Sequence, residues 1–240
     1  MAQDEPHVIS WHNLHAVTPN TYNYLMFTFK AVLFDLDGTI LDTVGDINAA
    51  LNKTLGTSFT DKQCMKFVGS GLKNAIKNAV ESANLKNINL DEAFTELVKN
   101  YKKCPVKHTK PYPGVQEFLD QIQQKNIAIG VFSNKEQVLA ETIIHTCFPH
   151  TNFTMIVGMH GGYEPKPSGQ AVLAFCQKVG CTVKDLLYVG DSEVDYKTAQ
   201  NAGAEVRILT WGMRTREQLL ASGVPESVLI SQICDIKLES

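Results

Sequence analysis

Five short apolar runs, at 31–34, 127–132, 153–157, 186–189 and 205–210, limit what this chain can fold into. Runs this short and this rich in apolar residues suit strands covered on both faces. Between them, apolar residues recur at helical spacing, as in Val115, Phe118, Leu119 and Ile122, or Val172, Phe175 and Val179. Strand–helix alternation predicts an α/β domain, a Rossmann-like parallel β-sheet core flanked by helices. In such sheets ligands sit beyond the carboxyl ends of the strands, at the point where strand order reverses.

The stretch 44–110 interrupts the alternation. Val44, Ile47, Leu51 and Leu55 have helical spacing, and helical patterns follow over 60–68, 72–83 and 91–103, with no good strand among them. The spacing predicts an inserted α-helical cap domain over 44–110. The α/β core then comprises 26–43 and 111–240, rejoined at the breaker Lys110-Pro111-Tyr112-Pro113-Gly114. Residues 1–25 lack periodicity and read as an N-terminal extension, with Met26 a candidate native start.

Composition narrows the function classes. A formal charge of −3 over 240 residues gives no basic footprint for nucleic acid. No apolar run approaches the roughly 20 residues of a membrane span. The first 25 residues hold Asp4 and Glu5 and no signal-peptide core. The six cysteines form no C-x-x-C pair, which fits reduced thiols in a cytoplasmic protein. Cys147, near His145 and His150, reads as part of a loop after an apolar helix rather than as a metal site.

Polar residues gather where the strands end. The first strand runs into Asp35-Leu36-Asp37-Gly38-Thr39, which places two carboxylates on one side. Such a pair can hold a hard cation such as Mg²⁺, and one member can attack phosphorus while the other handles protons. Ser133-Asn134 closes the second strand, Lys166 sits in a Pro-Lys-Pro break, and Gly190-Asp191 with Asp195 follows the fourth. Each is ambiguous alone: an acidic turn, an N-cap pair, a solvated lysine, a turn with a cap. Their order along the chain is what points to chemistry.

In that order they resemble the four motifs of the haloacid dehalogenase-like (HAD) hydrolase superfamily. Phe67-Val68-Gly69-Ser70-Gly71-Leu72 is similar to a cap loop of its phosphoglycolate phosphatase-like branch, and Tyr112-Pro113-Gly114-Val115 to that branch's return to the core. The resemblance implies that Asp35 is the nucleophile, forming an aspartyl-phosphate, and Asp37 the acid/base. It implies that Asp35, Asp191 and the Asp37 backbone carbonyl hold Mg²⁺, with Asp195 behind them. It implies that Lys166, also catalytic, binds the phosphoryl group with Ser133, the Asn134 amide, Gly38 and Thr39, while Gly38 permits the tight turn and the Thr39 hydroxyl supports Asp37. Gly69, Ser70, Gly71 and Lys73 are the cap residues to consider, although Lys73 also reads as a solvated helix lysine. Arg207, Arg214 and Arg216 could approach the site from the end of the fifth strand, but surface placement is the better default. One departure is Gly169, where the family often has proline; it leaves the start of the next helix open.

The implied activity is a Mg²⁺-dependent phosphatase for a small phosphorylated metabolite, with 2-phosphoglycolate leading. An aspartate at 37 fits a phosphate ester or anhydride rather than a halide. Pyrophosphate, nucleotide and sugar phosphates, a β-phosphoglucomutase-like isomerase and a non-catalytic phosphate-binding module are the alternatives.

Overall fold

The computed structural model describes residues 29–69 and 71–238. The N-terminal extension, Met26 and Ser70 therefore lie outside the described residues.

Strands β1 (Ala31–Phe34), β4 (Ala128–Glu136), β5 (Phe153–Met159), β6 (Leu186–Gly190), β7 (Glu205–Leu209) and β8 (Leu229–Ile230) form one sheet in the order β5-β4-β1-β6-β7-β8. Every pairing in it is parallel. β1 lies between β4 and β6, so the chain leaves it to one side and later returns to the other. The crevice for a ligand opens at that reversal, beyond the ends of β1, β4 and β6.

Alternation along β1 builds both faces. Val32 and Phe34 enter one apolar cluster with helices α5 (Val115–Gln124) and α6 (Gln137–Cys147). Ala31 and Leu33 enter the other, with α7 (Gln170–Val179) and α8 (Glu193–Ala202). Side chains of successive strand residues point to opposite faces, and here both are covered. β8 went unanticipated because two residues leave no readable period. β4 runs further than its apolar part, carrying Ser133, Asn134 and Lys135 past the sheet with a register irregularity between Phe132 and Glu136. Ser133 and Asn134 do not cap the next helix; the Glu136 carboxylate does, accepting from the Leu139 amide at 3.1 Å.

The insert carries α1 (Val44–Leu55), α2 (Asp61–Cys64), α3 (Leu72–Ser82) and α4 (Leu90–Lys103). The helix expected over 60–68 is cut to a single turn. Its capping box, Thr60 with Gln63, starts it, but the chain then turns so that Phe67 and Val68 become buried. A short antiparallel ribbon, β2 (Leu41–Asp42) against β3 (Lys110–Pro111), joins insert to sheet. Sequence reading gave no strand here. Beside the ribbon, the Asp46 carboxylate on α1 accepts from the amides of Lys107, His108 and Thr109 at 2.8–3.0 Å and from the Thr109 hydroxyl at 2.7 Å. One buried side chain thus holds the two crossings of the neck together. Among the described residues, no helix is long and apolar enough to cross a membrane.

Candidate active site

Asp35 follows β1 directly, and its amide donates to the Val189 carbonyl of β6 at 2.8 Å. This fixes the carboxylate over the crevice. The chain then turns at Gly38, whose φ of +86° favours glycine. A side chain there would also collide with the Asp191 carboxylate. The Gly38 and Thr39 amides are used within the turn, donating to Leu41 at 2.9 Å and Leu36 at 3.3 Å.

Lys166 reaches the same point from the loop before α7. Its Nζ lies 2.6 Å from Asp35 Oδ1 and 2.7 Å from Asp195 Oδ1, with all three residues buried. Asn134 clamps the backbone of Lys166, accepting from its amide at 2.9 Å and donating to its carbonyl at 3.2 Å. The loop ends at Gly169, where α7 starts at the next residue. A Cβ at 169 would lie 2.9 Å from the Ala202 amide nitrogen, so the close approach of α8 accounts for glycine there.

Asp195 is fully committed. Its Oδ1 also accepts from the Tyr188 hydroxyl at 3.1 Å, while Oδ2 takes the Ser192 hydroxyl at 2.5 Å and the amides of Ser192 and Asp191 at 3.1 and 3.3 Å. Asp191 accepts from the Met213 amide at 2.6 Å through Oδ2. The Thr39 hydroxyl lies 3.4 Å from both Asp35 Oδ2 and Asp191 Oδ1, so those two oxygens face each other. Sequence reading put this hydroxyl on Asp37, but its position beneath the other two carboxylates rules that contact out. Thr43 makes it instead, donating to Asp37 Oδ1 at 2.6 Å.

Asp35, Asp191 and Asp195 bring ligand oxygens within 4.8 Å of one another. Among the described residues, these three and Asp37 meet two ammonium groups, Lys135 and Lys166, which leaves two of the four carboxylates without a matching charge. Burial, with the charges of Asp195 and Asp37 added, pushes the Asp35 carboxyl up to about 7 despite Lys166. Burial likewise raises Asp191 well above the usual carboxylate range. Burial would lower Lys166, but Asp195 and Asp35 outweigh it and hold its ammonium well above the ordinary value. A dication fits this donor set on two counts, hard oxygens and charge. Asp35 and Asp191 have oxygens to offer it, whereas Asp195 is already saturated.

Lys135, two residues past Ser133, was not anticipated. Its side chain is fully buried, with Nζ 3.1 Å from Asp37 Oδ1 and 3.0 Å from the Tyr101 hydroxyl of α4. Ser133 Oγ accepts from the Lys135 amide at 3.2 Å. The run Ser133-Asn134-Lys135 therefore serves the site throughout, and its adjacency to Ser133-Asn134 was the available signal.

The insert covers the site. Val68, Gly69, Gly71 and Leu72 face Asp35, Asp37, Ser133, Lys166 and Asp191 across a cavity of about 40 Å³, room for a few waters or one small anion. A larger cavity, about 210 Å³, adjoins it and shares Leu72 and Asn134; Phe94, Val98, Met159, Glu136 and His160 help to line it. Lys73 is not at the site: it is exposed and pairs with Asp91 at 2.9 Å. Arg207 and Arg216 pair with Glu205 and Glu226 away from it. Arg214, expected on the surface, is instead mostly buried between core and insert, donating to the Val68 carbonyl at 2.9 Å and to Glu193 at 3.2 Å.

The chain matches the haloacid dehalogenase-like hydrolase family over residues 32–208. It belongs to that family. It is similar to a phosphoglycolate phosphatase of Aquifex aeolicus, 31% identical over 188 residues, covering 76% of this chain and 85% of the relative. An N-acetylmuramic acid 6-phosphate phosphatase of Pseudomonas aeruginosa is 28% identical over 186 residues, covering 76% and 82%. Among solved structures, a candidate phosphoglycolate phosphatase from Lactobacillus delbrueckii subsp. bulgaricus superposes with a TM-score of 0.74 at 25% identity, covering 86% of this chain and 95% of the other. The fold is thus the HAD-like α/β core with a helical insert, and the chain is a phosphoric monoester hydrolase of the phosphoglycolate phosphatase-like branch.

Proposed function

We propose that the chain is a Mg²⁺-dependent phosphatase working through an aspartyl-phosphate on Asp35. The observation that carries this is Asp35 held at 2.6 Å by Lys166, with Asp37 two residues further in the same turn. The Asp35 carboxylate attacks phosphorus in line, and Lys166 balances charge on Asp35 and the phosphoryl oxygens. Asp37 protonates the leaving oxygen, then takes a proton from the water that releases phosphate. Ser133 spends its oxygen on the Lys135 amide and keeps its proton for a phosphoryl oxygen. Asp35 and Asp191 would hold the Mg²⁺, with the Asp37 carbonyl; when bound, it supplies positive charge against the phosphate oxygens. Residues 44–110 act as the cap, and 26–43 with 111–240 as the core.

2-Phosphoglycolate is the leading substrate, supported by the activity named for relatives from Aquifex aeolicus, Agrobacterium fabrum and Chromobacterium violaceum. The cavity of about 210 Å³ beside the site favours a second reading, a phosphomonoester with a bulkier leaving group. The activity of the Pseudomonas relative toward a sugar phosphate is in keeping with that. Phosphate release from a panel spanning 2-phosphoglycolate, sugar phosphates, nucleotides and pyrophosphate, with and without EDTA, tests both. No release from any member with Mg²⁺ present would overturn the phosphatase reading.

A further inference from the structure

Asp37 carries a proton to the leaving oxygen only if its carboxyl is aimed, and the turn that bears it does not aim it. Two side chains do, and both act on the same oxygen. Thr43 donates to Asp37 Oδ1 at 2.6 Å, and Lys135 Nζ lies 3.1 Å from that atom. Among the described residues, Oδ2 receives no hydrogen bond and remains available to hold the travelling proton. Lys135 itself cannot swing toward substrate. Its side chain has no exposed surface, its ammonium lies 3.0 Å from the Tyr101 hydroxyl, and it sits 4.4 Å above the Tyr101 ring centroid. Tyr101 is 1% exposed and belongs to α4 of the insert. It is thus an insert residue that holds the lysine, and a core lysine that holds the acid.

We propose that Lys135 is a positioning residue for the Asp37 acid, and that Tyr101 makes this positioning depend on the insert. This rests on the phosphatase reading above. In the step concerned, the bond from the Asp35 carboxylate to phosphorus forms as the bond from phosphorus to the leaving oxygen breaks, and that oxygen takes the proton from Asp37 Oδ2. Lys135 neither gives nor takes a proton. It holds Oδ1 so that Oδ2 points at the leaving oxygen.

Such a role has a signature that plain structural damage lacks. An alkyl leaving group needs the proton, whereas 4-nitrophenolate leaves without one. The experiment compares kcat/KM, which reports the first phosphoryl transfer, for 4-nitrophenyl phosphate and for the best alkyl phosphate of the panel, in wild type, Lys135→Met and Tyr101→Phe. Lys135→Met is expected to lose about 10²-fold or more on the alkyl ester, within the range of general acid catalysis, and under about fivefold on the aryl ester. Tyr101→Phe keeps the ring beneath the ammonium and removes only the hydroxyl, so it keeps the result interpretable if Lys135→Met does not fold. Its loss should be smaller, about three- to tenfold, and again confined to the alkyl ester. Equal losses on both esters would overturn the proposal, as would a change in KM alone, which would make the lysine a substrate ligand. A wild type inactive on both esters would overturn this proposal, and one inactive on every member of the panel would overturn the phosphatase reading with it.

Discussion

Arg214 donates from Nη1 to the carbonyl of Val68 at 2.9 Å, so a core side chain grips the insert loop that covers the site. Its Nε is held by Glu193 at 3.2 Å, which keeps the guanidinium under Gly69. Gly69 has a φ of +105°, and a Cβ there would lie 2.7 Å from the guanidinium. The loop and the arginine therefore fit only with a bare backbone between them. Arg214→Ala should lower kcat/KM about tenfold, through loss of one charge-assisted hydrogen bond at the loop, with little change in Tm. Steady-state kinetics beside a thermal melt checks this.

Gly212 backs the Asp191 carboxylate so closely that a Cβ would collide with Oδ2. Gly212→Ala should therefore displace one of the two carboxylates with oxygens for the cation. The Mg²⁺ concentration for half-maximal activity should rise roughly tenfold or more, the scale on which a support next to a metal ligand acts. A Mg²⁺ titration of activity checks it.

Asp46 answers four donors across the neck of the insert. Asp46→Asn keeps the shape but removes the charge and turns one acceptor into a donor facing backbone amides. Hydrogen bonds to charged groups contribute about 1.5–3 kcal/mol each, and they are not additive, so a loss of about 2–4 kcal/mol is expected. Urea unfolding measures it.

Without the cation, the raised Asp35 carboxyl makes stability depend on pH. Its value is 3.8 unfolded and about 7 folded, so between these the folded state binds more protons. Stability then falls as pH rises from about 4 to about 7, the reverse of an ion-paired carboxylate on the surface. Lys166, raised above its ordinary value, does not titrate in this window. Melts in EDTA should show Tm declining across it, and added Mg²⁺ should recover more stability at the upper end than at the lower.

Elements with a local period could be read from sequence; contacts made across the fold could not. The β1, β6 and β7 runs and α1, α5 and α7 carry their own hydrophobic pattern, so their places followed from it. β8 and the β2–β3 ribbon are two residues long and exist only because a partner strand is present. Asp35, Lys166 and Asp191 could be nominated because each follows a strand. Tyr101 could not be tied to Lys135, nor Arg214 to Val68, because each pair is joined only by the docking of the insert on the core. Thr39 and Thr43 both fall near Asp37 in sequence, and only the turn geometry decides which hydroxyl reaches it.

In the proposed reaction the phosphoryl group passes through Asp35. Acid quenching during turnover with Mg²⁺, followed by peptide mass spectrometry, tests it most directly. One phosphoryl group is expected on the peptide containing Asp35, and neither label nor phosphate release from Asp35→Asn. Undiminished phosphate release by Asp35→Asn would contradict it.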